Sequence, residues 1–191
     1  MAGQNVCARM THFSTHSEDL VNQQINHELT AAYAYASCAC YFAKDSVALH
    51  GFCQYFKEAS KDSMSKASKM MKYMIMRGGN VQFPNINGPI EWNDMQSIMD
   101  TAMEIEKTLY TKYSALSRCA EEAKDPELED LMSSVFLKKQ CENIKELADI
   151  QKNLNRVGGD GVGLYVLDRE LASKMNSHPA MERPRIPGRD D

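Results

Sequence analysis

Six polar side chains fall on segments of the sequence that should face a helical core. Four long segments of the 191-residue chain repeat apolar residues at the three- and four-residue spacing of an amphipathic helix. Near the middle of these apolar stripes stand Glu28, Tyr35, Ser63, Lys66, Glu106 and Gln140. A buried carboxylate needs a partner, because an unpaired charge in the core is strongly unfavourable. A metal ion is one possible partner for the two glutamates, and a lysine is another.

The second of these helices carries a hydroxyl and an ammonium where a metal site would need carboxylate and imidazole ligands. Protonated Lys66 has no lone pair to donate, and its charge repels a divalent cation at close range. We expect the ammonium to fill the centre and neutralise Glu28, Glu106 or both. Two alternatives stay open at this point. Either Lys66 extends along the surface to solvent, or a metal site forms by recruiting Glu104 or Asn143.

The helical pattern predicts four long helices, at about 17–42, 46–77, 94–123 and 126–157, and a short fifth helix within 163–175. We expect the first to start at Ser17, the third to be capped by Asn93 with Gln96, and the fourth to be capped by Asp125 before Pro126. Helices one and two, and helices three and four, are joined by short links and should be antiparallel.

The link 78–93 is long enough to change the topology. Its 16 residues can reach about 50 Å, whereas a helix of about 30 residues is about 45 Å long. It can therefore run the length of the bundle and let helices two and three lie parallel. The prediction is an all-α four-helix bundle with one long crossover and a short fifth helix.

Composition limits the partners and the compartment. We expect a flexible N-terminus at 1–13, a bundle domain at 14–175 and a disordered tail at 176–191. The net charge of −4 argues against nucleic acid as a main partner. No secretory signal and no apolar run long enough to cross a membrane are evident. The six cysteines are scattered, which favours reduced thiols and a cytoplasmic location.

Several stretches resemble animal ferritins over about residues 10–172. They read INHELTAAYAY, MRGG, EIEK, KDPELEDLMSSVFLKKQCENIKEL and VGLYVLD. The resemblance implies a five-helix subunit that assembles with itself and with other ferritin subunits into a hollow, cytosolic cage of twenty-four subunits. It also implies iron, stored as a ferric mineral, as the bound metal.

The resemblance assigns roles to the six polar residues. In ferritins of the heavy, iron-oxidising type, the ferroxidase centre uses positions that correspond here to Glu28, Tyr35, Glu106 and Gln140. The second-helix pair Glu-x-x-His of that centre corresponds to Ser63 and Lys66, and so it is missing. The ferroxidase centre is therefore expected to be degenerate, as in light-type subunits, with Glu28, Glu106 and Gln140 as a residual metal-ligand set.

Two further iron-handling surfaces follow from the same resemblance. On the mineral-nucleating face of the second helix, Glu58 and Asp62 remain, but Ser65 and Ser68 replace other acidic positions, and lysines dilute the field. At the three-fold pore Asp130 occupies the first acidic position, the second falls on Ser133 and is lost, and Glu129 can compensate in part. The alternatives are an ordinary solvated helix face and carboxylates that only favour the helix dipole.

These observations predict an iron-storage subunit without a working ferroxidase centre, which co-assembles with active subunits. One alternative is a ferritin that keeps slow Fe(II) oxidation through Glu28, Glu106 and Gln140. Another is a shell protein with a structural or developmental role that stores no iron.

Overall fold

The computed structural model describes residues 9, 12–89 and 91–177. This part of the chain contains five helices. They are α1 (Thr15–Phe42), α2 (His50–Met76), α3 (Met95–Glu122), α4 (the consecutive pieces Pro126–Asp130, Leu131–Leu137 and Lys138–Val157) and α5 (Val162–Ser177). The described residues contain no strand, and the predicted all-α bundle is confirmed. The predicted flexible segment 1–13 and tail 176–191 lie mostly outside the described residues, as do Cys7 and His178.

Two of the predicted helix starts are wrong by one to three residues. Ser14 is the N-cap of α1, since its hydroxyl accepts a hydrogen bond from the Ser17 backbone N–H at 3.0 Å. Asp94, and not Asn93, is the N-cap of α3, because its carboxylate accepts from the Ser97 N–H at 2.7 Å. Several capping residues stand side by side at each start, and the sequence alone does not decide which one bonds.

The start of α4 agrees with the prediction. Asp125 accepts a hydrogen bond from the Leu128 N–H at 3.2 Å, and Pro126 occupies the first turn. The start of α2 is later than predicted, at His50, because the chain first makes a turn in which Ala48 has a φ of 52°. The link between α1 and α2, residues 43–49, is longer than predicted but still short enough for an antiparallel pair.

The crossover between α2 and α3 runs along the whole of α1. Just after α2, the Asn80 carbonyl accepts from the Asn22 side chain at 3.0 Å, near the start of α1. Just before α3, the Trp92 indole N–H donates to the Ser37 hydroxyl at 2.7 Å, near the end of α1. The end of α2 and the start of α3 thus lie at opposite ends of the bundle, so the two helices run parallel.

α5 docks against the first turn of α2 through one close contact. The Asp168 carboxylate accepts from the Phe52 backbone N–H at 3.0 Å, and so it caps α2 from another helix. At Gly51 a Cβ atom would lie 1.9 Å from the Asp168 carbonyl oxygen. Only glycine allows this approach.

A buried ion pair joins the other end of α2 to α4. The Arg77 guanidinium donates two hydrogen bonds to Asp125, at 3.0 and 2.7 Å, and a third to the Tyr73 hydroxyl. Both charged side chains are almost fully buried. This bidentate pair fixes the level of α4 relative to α2 and thereby the height at which their central side chains meet.

Candidate metal centre

The four long helices bring all six predicted side chains into one buried polar cluster. Each residue is exposed by 6% or less. α1 contributes Glu28 and Tyr35, α2 contributes Ser63 and Lys66, α3 contributes Glu106, and α4 contributes Gln140.

The two glutamates are each held by a tyrosine of the opposite helix. The Tyr35 hydroxyl of α1 donates to Glu106 Oε1 at 2.5 Å, and the Tyr113 hydroxyl of α3 donates to Glu28 Oε1. The glutamate and tyrosine are seven residues apart on both helices, so antiparallel packing makes the two pairs reciprocal. Tyr113 was not among the predicted site residues. Its place on the α3 apolar stripe was a signal, since a buried tyrosine hydroxyl usually finds a partner.

A π-helical segment of α4 supports Tyr113. In Leu131–Leu137 the ladder widens to the i to i+5 pattern. The ring of Phe136, in this segment, stacks on the Tyr113 ring with the ring centres 5.1 Å apart. The π-helical segment therefore helps to orient the Tyr113 hydroxyl toward Glu28.

Both carboxylate oxygens of Glu106 are occupied by hydrogen bonds. Tyr35 binds one of them, and the Gln140 side-chain amide donates to the other and also to the Glu106 backbone carbonyl, at 2.9 Å. The Gln140 side-chain oxygen in turn accepts from the Lys66 ammonium at 3.2 Å. Gln140 thus links the ammonium to Glu106 without direct contact between the two charges.

The ammonium of Lys66 makes its direct ion pair with Asp62, one turn away on α2, at a distance of 3.0 Å. Turned so that its oxygen faces the ammonium, the Asn143 amide accepts from Lys66 at 3.1 Å. Lys66 was expected to neutralise Glu28, Glu106 or both. Its direct ion-pair partner is instead Asp62, which lies one turn away on the same helix, and the two glutamates act on Lys66 only at longer range. The alternative in which Lys66 extends to solvent is also wrong, since the side chain is 5% exposed.

The charges in the cluster act on one another at longer range. Burial lowers the pKa of Lys66, but the charges of Glu28, Asp62 and Glu106 and the hydrogen bond to Asp62 outweigh it, so the pKa lies above its usual value. Lys66 is therefore a cation at neutral pH.

Glu28 is the least compensated charge of the cluster. Burial raises its pKa to about 7, and the charge of Lys66 and the hydroxyls of Tyr113 and Ser63 offset this only in part. Its second carboxylate oxygen, Oε2, has no hydrogen-bond partner among the described residues. Burial also raises the pKa of Tyr35 well above its usual range, with Glu106 adding to the effect. Both tyrosines can therefore remain donors to their glutamates.

The donor set does not fit a two-iron centre. Glu106 has no free oxygen, Glu28 has one, and an ammonium binds the only amide oxygen among the six predicted side chains. In the part of the chain that the structure describes, no three His, Cys, Asp or Glu side chains are grouped so that they could hold a metal ion.

The remaining predicted residues lie on the surface. Glu58 is exposed and pairs with Lys61 at 2.5 Å. Asp62 is only 39% exposed and is engaged by Lys66, so it is partly withdrawn from the face on which it was expected to bind iron. Glu129 and Asp130 are exposed at the start of α4.

A four-helix bundle with one long crossover and a polar centre between facing helices is the architecture of ferritin-like folds. The Ferritin-like domain family matches residues 18–157 of the chain. The soma ferritin of Lymnaea stagnalis is 39% identical over 163 residues, which cover 84% of this chain and 93% of the relative. The chain belongs to the ferritin family.

Other relatives show similar identity. The ferritin middle subunit of Aquarana catesbeiana is 37% identical over 156 residues, covering 80% of this chain and 89% of the relative. The ferritin-2 heavy chain of Schistosoma mansoni is 37% identical over 159 residues, covering 82% and 92%. Among the described residues, no helix is both long enough and apolar enough to span a membrane.

Proposed function

We propose that this chain is an iron-storage subunit whose ferroxidase centre does not work, and that it co-assembles with iron-oxidising ferritin subunits in a closed cytoplasmic cage. One observation carries the proposal. The Lys66 ammonium lies inside the bundle, ion-paired with Asp62 and hydrogen-bonded to Gln140. It occupies the position at which heavy-type subunits carry a histidine ligand.

Electrostatics explains why such a site would reject iron. At an effective dielectric constant of about 20, a divalent ion about 4 Å from an ammonium is repelled by on the order of 8 kcal/mol. The carboxylates supply little attraction to offset this repulsion, because both carboxylate oxygens of Glu106 already accept hydrogen bonds. Glu28 is partly protonated at neutral pH, since its pKa is raised to about 7 by burial.

The rest of the surface supports storage in a mixed shell. Glu129 and Asp130 are exposed and can contribute to a cation-attracting pore. Ferric ions produced by active subunits would then mineralise in the common cavity. In the described part of the chain, Cys38, Cys40, Cys53, Cys119 and Cys141 are free thiols, which suits a reducing cytoplasm.

A second candidate function is slow Fe(II) oxidation at the residual centre. The unpartnered Glu28 Oε2 favours this function, because the buried oxygen is free to coordinate one ferrous ion. In that case the unmodified chain would oxidise a single Fe(II) per subunit with saturation, and Glu28→Ala would abolish the activity.

The test is to restore the missing pair. Ser63→Glu with Lys66→His should create dioxygen-dependent Fe(II) oxidation at least about tenfold faster than in the parent, because it replaces a repelling cation by two ligands. Stopped-flow absorbance of the ferric product gives the initial rate. Ser65→Glu with Lys69→His on the surface of α2 makes the same chemical change outside the centre. Equal rates in the parent and in the Ser63→Glu/Lys66→His variant would contradict the proposal.

A further inference from the structure

A row of lysines follows the exposed side of α2. Lys57, Lys61, Lys69 and Lys72 are exposed, and Ser65 and Ser68 lie between them. Successive members recur at about one helical turn and span about 22 Å from residue 57 to residue 72. We call these four lysines and two serines the α2 lysine row.

The carboxylates of α2 neutralise only one lysine of this row, Lys61. α2 has only two acidic residues, and each already has a lysine partner: Glu58 pairs with Lys61 at 2.5 Å, and Asp62 pairs with buried Lys66 at 3.0 Å. In the described part of the chain, Lys57, Lys69 and Lys72 have no carboxylate within ion-pair distance.

The neighbouring helix does not supply the missing negative charge either. The segment Lys138–Val157 contacts α2 through Gln140 and Lys66. Its three carboxylates all have partners, namely Glu142 with Lys139 at 3.7 Å, Glu146 with Lys174 at 2.6 Å and Asp149 with Lys145 at 2.5 Å. Together α2 and this segment carry ten basic and five acidic residues, although the whole chain has a net charge of −4.

We propose that the α2 lysine row binds oxyanions, and inorganic phosphate in particular. Lysine ammonium groups bind phosphate as point charges, and serine hydroxyls between them can donate further hydrogen bonds. The inference rests on the proposed function, in which this face lines a closed cavity. An enclosed wall with uncompensated positive charge draws anions inside. Phosphate held there would enter the ferric mineral, and it would do so where the usual nucleating carboxylates are few.

Equilibrium dialysis of the iron-free assembled protein against labelled inorganic phosphate tests this. The variant Lys57→Ser/Lys69→Ser/Lys72→Ser should bind phosphate at least about tenfold more weakly at low ionic strength. The control Lys44→Ser/Lys107→Ser/Lys112→Ser removes three exposed lysines outside α2 and makes the same change in net charge. It should change the affinity less than twofold. Equal losses in the two variants, or no phosphate binding by the parent, would overturn the proposal.

A second arm identifies the source of the phosphate group. A single-stranded oligonucleotide is too large to enter a closed shell, so the assembled parent should not retain it. Retention that depends on the α2 lysine row would place this face outside and overturn the proposal.

The two proposals fail separately. The oxidation test with Ser63→Glu/Lys66→His is done without phosphate and leaves every residue of the lysine row unchanged. Loss of phosphate binding therefore says nothing against the degenerate centre, and a failed oxidation test leaves the measured phosphate affinity as it is.

Discussion

Glu28 and Glu106 occupy similar places on antiparallel helices, yet their surroundings differ. Glu106 has a hydrogen bond to each carboxylate oxygen, from Tyr35 and Gln140. Glu28 has one, from Tyr113, and its other oxygen is unpartnered in the described structure. The Lys66 ammonium sits closer to Asp62 than to either glutamate. The two carboxylates of the cluster are therefore unequally satisfied, and Glu28 is the one with an unpartnered oxygen.

The raised pKa of Glu28 makes stability depend on pH. Burial raises this pKa to about 7 from the ordinary 4.5. As pH rises, the Glu28 carboxyl therefore loses its proton in the unfolded chain before it does so in the folded protein. The free energy of unfolding falls between about pH 4.5 and 7 and stays at the lower level above that range. Glu28→Gln stays neutral, so we expect it to be more stable than the parent by about 1–3 kcal/mol at pH 8 and not at pH 4.

Denaturant unfolding of the iron-free protein at the two pH values measures this difference. Glu129→Gln, at an exposed position, is the control and should show no comparable dependence on pH. A Glu28→Gln effect of the same size at pH 4 and pH 8 would contradict the pKa assignment.

The two tyrosines should differ in their contribution to stability. Tyr113→Phe removes the hydrogen bond to Glu28 Oε1 and leaves a buried carboxylate oxygen without this donor, which we expect to cost about 1–3 kcal/mol. Tyr35→Phe leaves Glu106 bound to Gln140, so its cost should be smaller. The control is Tyr110→Phe, since Tyr110 is 39% exposed. Denaturation midpoints at pH 8 give the order, and a larger loss for Tyr35→Phe would show that Glu106 is the strained carboxylate.

At the scale of elements, the absence of a side chain at Gly51 allows α5 to pack closely against α2. The Cβ atom of an alanine at position 51 would lie 1.9 Å from the Asp168 carbonyl oxygen. Gly51→Ala must therefore move α5 away and break the bond between Asp168 and the Phe52 N–H. We expect a loss of about 2–4 kcal/mol, in the range of strongly disruptive core changes. Gly88→Ala has open space around it and is the control.

Amide hydrogen exchange locates the effect of Gly51→Ala. The Phe52 amide and the backbone of α5 should lose protection, while α3 and the centre of α1 should keep it. Unchanged protection of α5 would mean that the contact tolerates the added methyl group.

The sequence predicts the helices of the bundle more accurately than the residues at which they begin. Apolar periodicity and the 16-residue link were enough for the bundle and for the parallel pair α2 and α3, because chain length and helix length limit the topology. The caps at Ser14 and Asp94 were missed, since neighbouring residues compete to cap. The π-helical turn Leu131–Leu137 was also missed. Apolar periodicity does not distinguish a π-helical turn within a long helix.

At the scale of the whole molecule, the sequence predicts which residues meet in the centre but not which hydrogen bonds they form. The six residues converge because each interrupts an apolar stripe at a similar height. Their hydrogen bonds could not be read from that pattern. Asp62 was expected on the mineral-nucleating face, but it pairs with Lys66, and Tyr113, which binds Glu28, was not among the predicted site residues. Contacts of this kind depend on side-chain direction after the helices have packed.

Under the proposed function, the subunit keeps the ferritin bundle without oxidising iron itself. Lys66 would then take the place of metal charge within the bundle, and the α2 lysine row would take the place of nucleating carboxylates on the cavity face. In a shell that contains oxidising subunits, such a chain would change the mineral without forming ferric ions itself. Both features lie on α2, so under this proposal one helix carries most of the difference from an iron-oxidising subunit.

The central claim is that the Lys66 ammonium fills the place of the metals, and a crystal of the protein soaked anaerobically in Fe(II) tests it most directly. Anomalous diffraction at the iron edge should show no metal between Glu28 and Glu106, with Lys66 still bound to Gln140 and Asp62. Crystals of the Ser63→Glu/Lys66→His variant, soaked in the same way, should show iron there. Two iron ions coordinated in the unmodified protein, with Lys66 displaced, would contradict the account.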